Sequence, residues 1–394
     1  MAREFLETLK NNLIMTQTVN RQYDSLFTNL SGDTIRIPRP VRLRVQQGPV
    51  ISGEQGIEQQ YENLVMDQWL TVAVTVTQQQ WTLQLSDFSK IVLEPAAISL
   101  GNAVDSLLYS AGALAAYNYV GVAGNAPASF NVLAQAHAKL NSFGVASRDR
   151  YLLLSEFDGA SMYSTLYNSF NPMLNKDIIY GPTLGNILNF DTYSAQNVQR
   201  PVSATLSGLP VTNFGTPIVS GANQSGTNLV VTGFTPNITL NPGLVFEIAN
   251  TNAVNISSYN DTGSPANFVI TQTTVVDGSG NATLPIYPAI TPTGSYQNVL
   301  NTPPNGALIT CQQTATKNLA YNREGFTLAV AKLAVPPTNE NIGAYFNVFE
   351  DADAKISIQM TRQFNAFNMT DLIRFDILCA PKCFADYVCI VQGS

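Results

Sequence analysis

Between Pro201 and Thr316 the chain carries no lysine and no arginine, and its only acids there are Glu247, Asp261 and Asp277. The stretch is rich in Thr, Asn, Gly, Pro and Val, and ordinary helix-bearing sequence resumes on both sides. Turn residues spaced between short β-rich runs, such as Asn228 to Thr232, Phe268 to Thr274 and Ala282 to Ile286, predict strands. With no helical stripe among them, roughly Ala204 to Thr314 is expected to form an antiparallel barrel or sandwich on an outer surface. The simplest organisation is a β-domain inserted into a host domain that resumes after it.

At 394 residues the chain has room for two or three domains, and 45% hydrophobic residues supply a sizeable core. Charged residues make up 12%, about half the usual share. So few charges leave much uncharged surface, as expected of a subunit that buries surface in an assembly. A net charge of −7 argues against non-specific nucleic-acid binding, which needs Lys and Arg against phosphates. An acidic wall can still enclose DNA without holding it. The N-terminus has no signal-peptide pattern and no run approaches the ~18 apolar residues of a membrane span. Cytosolic synthesis is therefore expected. Cys311, Cys379, Cys383 and Cys389 lack paired metal-ligand spacing and lie far from the single histidine, His137. Reduced, buried thiols are expected.

Phe5, Leu6, Leu9 and Leu13 fall at helical spacing and predict a short amphipathic helix. Ile35, Ile37, Val41, Leu43 and Val45 then alternate with Arg36, Pro38, Arg42 and Arg44, and Val72, Val74 and Val76 alternate again within Thr71 to Thr77. Two such arms around a long polar tip predict an extended β-hairpin, since ordinary hairpin loops hold about two to five residues. A long helix follows. Leu93, Ala97, Leu100, Val104, Leu107, Ala111 and Leu114 repeat at four and three, Pro95 suits the first turn, and Gly121 and Gly124 suit the stop. About 25 residues make a rod of roughly 37 Å. Gly101 and Gly112 inside it would let another element approach closely. Further on, a helix over Phe130 to Asn141 with Ser129 as N-cap is expected, then a strand at Tyr151 to Leu154 and a helix near Gly159 to Tyr167. Leu319 to Leu333 is apolar and is expected to be part helix. Lys355 to Gln363, Leu372 to Leu378 and Tyr387 to Val391 read as strands. The host is α+β.

No catalytic constellation stands out. A Ser-His-Asp set would need His137, which lies on an apolar helical face and is expected to be a packing residue. There is no nucleophile elbow, P-loop or dinucleotide fingerprint. Glu350-Asp351-Ala352-Asp353 could hold calcium or serve as paired carboxylates, but a solvated acidic turn is the simpler expectation. No cofactor and no metal is expected. Arg36, Arg42 and Arg44 could touch nucleic acid; in an acidic protein, ion pairs with a neighbouring subunit are favoured.

The order of arm, long hairpin, rod helix, α+β body and late strands resembles the major capsid proteins of tailed phages, with the Hong Kong 97-type fold. Gly181-Pro-Thr-Leu-Gly-Asn-Ile-Leu-Asn-Phe-Asp-Thr-Tyr-Ser resembles that family's glycine-leucine-glycine segment leading to an aromatic-rich strand. Asn318-Leu-Ala-Tyr-Asn-Arg-Glu-Gly-Phe resembles its asparagine-leucine-alanine helix start, and Ile373-Arg-Phe-Asp-Ile-Leu-Cys its penultimate strand. The inserted block resembles that of the coat proteins of short-tailed Salmonella phages.

The resemblance implies an N-terminal arm over 1–34, an extended hairpin over 35–80 and a peripheral domain with spine helix over 81–150. An axial domain over 151–202 would resume, with the closing peripheral strands, over 317–394, around an inserted β-domain at 203–316. It implies a non-enzymatic coat protein that forms hexamers and pentamers of an icosahedral virion shell around double-stranded DNA. A scaffolding protein during assembly and a portal protein at one vertex would be partners, with synthesis in the bacterial host cytoplasm and no membrane association. Arg36, Arg42, Arg44, Glu54, Glu58 and Glu62 are the candidates for contact between subunits. A different class, a surface-binding β-protein such as a phage fibre or carbohydrate-binding module, is favoured by the Thr/Asn/Gly-rich block and opposed by the long helix.

Some capsids of this fold join neighbours through a lysine–asparagine isopeptide bond with the lysine on the hairpin. Here Gln46 to Gln68 contains no lysine, the next one being Lys90, and disulfides are not expected from a reducing compartment. The shell should therefore be non-covalent. Denaturing electrophoresis of mature particles without reductant should give one band near 42.6 kDa; a ladder of covalent oligomers would contradict this.

Overall fold

The computed structural model describes residues 5–9, 13–27, 32–43, 58–83, 89–169, 186–256, 258–334, 344–351 and 355–394. Two compact units emerge, the first from 1–37, 61–109 and 326–382, the second from 38–60, 110–325 and 383–394.

In the first unit a five-stranded sheet runs in the order Phe326–Ala331, Thr370–Cys383, Ile356–Asn365, Ala344–Asp351, with Gln68–Thr77 also paired to Thr370–Cys383. The alternating valines pack as the period of two requires: Val76 is buried, and Val74 faces Ile373 and Val72 faces Phe375 across an antiparallel ladder. The hairpin is thus arranged differently from the sequence expectation. Its first arm is strand only over Thr34–Pro38, its return is Tyr61–Val65, and Thr71 to Thr77 pairs elsewhere. Alternation fixes which face is buried but not which strand lies alongside. The strand Ala344–Asp351 was not anticipated; it carries Glu350 and Asp351, so these two end a strand, while 352–354 lie outside the described residues.

The long helix is Glu94–Ala115, preceded by one wide π-turn at Ser89–Leu93. Leu93, Ala97, Leu100 and Val104 are buried as expected, but Leu108 and Tyr109 are buried next, Leu107 and Ala111 are half-buried, and Leu114 is exposed. A straight α-helix drifts by ~20° per heptad against a strict 3.5-residue repeat, which rotates the later positions off the buried face. Lys90–Ala115 is also long and apolar enough to cross a membrane, which corrects the expectation that no run approaches that length. Its buried positions mark it as a core helix.

The N-terminal segment packs on this helix. Residues 5–9 are helical, Phe5 stacks on Phe375 with ring centroids 3.9 Å apart, and a Cβ added to Gly101 would lie 3.3 Å from Leu9 Cδ1. Asp105, buried in the helix, accepts the backbone N–H groups of Ile14 (2.8 Å), Met15 (3.2 Å) and Thr16 (3.1 Å) and the Thr16 hydroxyl (2.8 Å). One carboxylate thereby satisfies donors that begin the short helix Met15–Thr18.

The second unit has a six-stranded mixed sheet in the order Asn118–Val120, Val388–Gln392, Lys317–Asn322, Arg150–Leu154, Phe190–Ser194, Asn186–Ile187. The helix Phe130–Ser142 covers it, with Ser129 accepting from the Asn131 N–H at 3.2 Å as the expected N-cap. Leu133, Ala136 and Leu140 join Leu152, Leu154 and Phe190 in one core. The helix Glu156–Ser169 follows the strand Arg150–Leu154.

The lysine- and arginine-free stretch forms two antiparallel sheets of this unit. Six strands run in the order Gly215–Val219, Gly226–Phe234, Ala282–Ile290, Asp261–Ile270, Val245–Val254, Ile309–Cys311; four short ones run Thr274–Val275, Thr239–Leu240, Ala204–Leu206, Leu209–Pro210. Leu229, Val231, Phe246, Phe268, Leu284 and Ile286 close a shared core. Turn chemistry is local: Asp277 accepts the N–H groups of Ser279 and Asn281, both at 2.8 Å. Gly280 has φ +83°, and a Cβ there would sit 2.6 Å from the Phe234 carbonyl.

Leu319 to Leu333 is not helical, and Asn318 does not start a helix. The region forms strands Lys317–Asn322 and Phe326–Ala331 around a 3₁₀ turn, Arg323–Gly325. Eleven of these twelve strand residues are buried, and a run buried on both faces with no alternation cannot be told from a buried helix by periodicity.

Asp105→Ala should strand three buried backbone donors and lower the stability of the unassembled subunit by on the order of 3 kcal/mol in urea unfolding. A change within about 0.5 kcal/mol, as for ordinary surface substitutions, would contradict the capping role.

Candidate functional site

Among the described residues no three His, Cys, Asp or Glu side chains gather where they could hold a metal ion. His137 packs its ring edge-on to Phe190, with centroids 6.1 Å apart, and meets the Asn141 side chain at 3.3 Å. Burial, and then the Arg150 charge, lowers its pKa, so the ring favours the neutral form. Cys379 and Cys389 are buried, and burial pushes each thiol up to about 12. A cleft of about 510 Å³ lies beside the helix Phe130–Ser142, with Gln135, Lys139, Ser142 and Tyr119 on its walls; neither histidine nor carboxylate lines it.

A polar cluster of the second unit is built on Asp386, in the 3₁₀ turn Ala385–Tyr387 that precedes the closing strand. Tyr117 donates its hydroxyl to Asp386 Oδ1 at 2.7 Å. The guanidinium groups of Arg39 and Arg42 both reach Asp386 Oδ2, that of Arg42 at 3.2 Å. Arg42 also lies over the Tyr296 ring, 5.4 Å from its centroid, and Tyr296 donates its hydroxyl to the Glu58 carbonyl at 2.8 Å. Burial, reinforced by the Asp386 charge, raises the Tyr117 phenol well above its ordinary pKa, so it stays a donor. A pocket of about 180 Å³ remains among these groups, Gln60, Thr227 and Tyr287.

Of the residues singled out in the sequence, Arg42 belongs to this cluster and Glu58 touches it through its backbone. Arg36 is exposed on the strand Thr34–Pro38, whereas Arg42 lies past that strand's end, so the two do not share one strand face. Glu62 pairs with Lys382 at 3.1 Å in the first unit. Arg44 and Glu54, like the tip over 44–57 and Gly181 to Gly185, lie outside the described residues. Arg39, Tyr117, Tyr296 and Asp386 were not anticipated. The one available signal was Arg39 set between Pro38 and Pro40, where the strand pattern stops.

A second buried post is Lys317, whose ammonium donates to the carbonyls of Ala113 at 2.8 Å and Gly243 at 2.6 Å. It thereby ties a turn of the β block to the last carbonyls of the long helix, where a cation is favoured by the helix dipole. Burial lowers its pKa from 10.5 to about 7. The folded chain releases this proton near 7 and the unfolded chain near 10.5, so the unfolded state binds more protons between them and stability rises with pH across that window.

Residues 202–391, just under half of the chain, match the family described as P22 coat protein, gene protein 5. No curated protein matches the chain. A solved chain of Mycobacterium phage Che8 superposes with a TM-score of 0.50 at 11% identity, covering 96% of this chain and 90% of that one. The capsid of Ralstonia phage GP4 gives 0.48 at 11%, covering 95% and 87%, and the capsid of the cyanophage P-SCSP1u gives 0.47 at 8%, covering 97% and 88%.

Against a Lys317→Met variant, the wild-type chain should gain stability from about pH 7 towards pH 10 and show no difference in slope below pH 7. Urea unfolding across that range checks this; parallel curves throughout would show that Lys317 titrates normally.

The mixed α+β architecture is that of the Hong Kong 97-type capsid fold, and the second half of the chain matches a coat-protein family.

Proposed function

We propose that the chain is the coat subunit of an icosahedral shell built from hexamers and pentamers around double-stranded DNA. A scaffolding protein acts during assembly and a portal protein occupies one vertex, with synthesis in the cytoplasm of the bacterial host. The observation that carries this reading is the coat-protein match, which begins at residue 202 and takes in both the β block and the strands that follow it. That span favours a coat protein of the short-tailed Salmonella phage type, with 203–316 as an inserted domain. The β block's separate core, which contains no residue from outside 204–311, supports treating it as a module.

Phe367 is 98% exposed at the turn between two late strands and Phe157 is 82% exposed on its helix; apolar side chains exposed singly are ordinary on a protein surface and do not by themselves call for a partner. The scarcity of charge fits the coat role, and the negative balance keeps DNA from adhering to the inner wall.

Negative-stain images of the purified chain should show shells or capsomer rings; discrete rods or monomers would refute the reading. Arg42→Glu should abolish most shell formation and should also lower the thermal midpoint of the unassembled subunit, because Arg42 and Asp386 are only 18% and 11% exposed in their pair and the reversal sets a second carboxylate beside Asp386. Normal assembly of Arg42→Glu at low and raised salt alike would remove Arg42 from the interface.

A further inference from the structure

We infer that the cleft between the helix Phe130–Ser142 and the β block is a binding site for a carboxylate carried on a small apolar body, with the Lys139 ammonium as its counter-ion. Such a group occurs in free organic acids and at the end of a peptide chain. The site goes beyond the coat-protein reading and does not depend on it.

The walls come from three places in the second unit: the helix, the end of the strand Asn118–Val120, and the strand pair Val245–Val254 and Asp261–Ile270. Tyr119 pins its strand to the β block, donating its hydroxyl to Glu247 at 3.0 Å and accepting from Gln312 Nε2 at 2.8 Å. The strand pair loses register between Glu247 and Asn252 and again before Val254. Irregularities of this kind bend a strand and re-aim its side chains, and they gather beside binding sites. The Thr262 hydroxyl secures the bend by donating to the Ala253 carbonyl at 2.7 Å. The space left is about 510 Å³, within the range of small-molecule sites.

The chemistry of the walls selects the ligand. Lys139 is half-buried, and among the described residues its ammonium makes no hydrogen bond and no ion pair. Burial lowers its pKa; the Cys389 thiol and the Glu247 carboxylate oppose this only through space. A desolvated cation is costly until an anion meets it. The Gln135 amide and the Ser264 hydroxyl, both exposed at the cleft, make no hydrogen bond among the described residues either, and they supply neutral donors. One ammonium with neutral donors balances one negative charge. A carboxylate is therefore favoured over a doubly charged phosphate, for which no second cation lines the cleft. Val120 and Val254, both buried, and half-buried Phe143 add apolar surface beside these donors. The volume is many times the roughly 30 Å³ that one water occupies in the liquid, so a bare anion would leave most of it unfilled. The ligand thus carries an apolar body as well.

The test uses two carboxylates on the whole, unassembled chain: hydrocinnamate, a free acid, and an N-acetylated tripeptide ending in a free phenylalanine carboxylate. The uncharged amide of each serves as its control. Affinity is read by calorimetry, and occupancy by the rate at which N-hydroxysuccinimidyl acetate acetylates each lysine, followed by mass spectrometry. A ligand at about ten times its Kd leaves roughly a tenth of the sites empty, so acetylation of Lys139 should slow about tenfold. Lys332, whose side chain is 65% exposed, should react unchanged, and the amides should give no protection. Protection by the tripeptide alone identifies a peptide end as the source, and protection by hydrocinnamate alone a free acid. Lys139→Met should abolish calorimetric binding. Ser264→Trp fills the cleft from an exposed position and should abolish both binding and protection, with the circular dichroism of the folded chain unchanged. Protection by neither carboxylate, equal protection by acid and amide, equal slowing at Lys332, or undiminished binding to Lys139→Met would each overturn the proposal.

Discussion

The strand Lys317–Asn322 is the constraint on which the second unit depends. All six of its residues are buried, and it is flanked by Arg150–Leu154, with Leu319 facing Leu153, and by Val388–Gln392, with Leu319 facing Ile390. The sheet cannot close until the chain has passed through the whole lysine-free block and returned. That block must therefore fold with its ends free to rejoin the sheet, and its self-contained core lets it do so. Pairing across so long a separation carries a loop-closure cost that makes such folds slow to form. Asn318 reinforces the junction. It accepts the Ser155 N–H and donates to Asp158, both at 2.7 Å, and Asp158 in turn accepts the Ser394 N–H and hydroxyl. The last turns of the chain are thereby pinned to the sheet's centre.

With few charges available, the chain buries several of them as posts rather than scattering them over its surface. Asp105 gathers the start of the N-terminal segment, Lys317 joins the β block to the long helix, Arg150 donates to Asn141 and to the carbonyls of Val145 and Ala146, and Asp386 holds the hairpin stem. Each post serves several groups at once, which is what makes a buried charge tolerable. The surface left behind is polar but weakly charged, with isolated apolar side chains such as Phe367 standing out.

How far the sequence disclosed this depended on whether a signal was local. The β block declared itself because missing charge and regular turn residues are properties of a contiguous stretch. The helix Phe130–Ser142 and its Ser129 cap, and the late strands, were found for the same reason. Lys317–Asn322 and Phe326–Ala331 were mistaken for helix because complete burial erases alternation. The partner of Gln68–Thr77 was missed because alternation carries no information about the neighbouring strand. The Asp386 cluster was hidden more deeply: it joins positions 39, 42, 117, 296 and 386, and only the folded chain brings them together. Arg42 alone had been marked, for its charge in a charge-poor chain.

Particle mass separates a shell-forming subunit from a monomer or small oligomer. Charge-detection mass spectrometry of particles purified under native conditions should return a narrow mass of some hundreds of 42.6 kDa chains, at a multiple allowed by icosahedral symmetry. A mass of one or a few chains under every assembly condition, or a continuous distribution with no preferred multiple, would contradict the account.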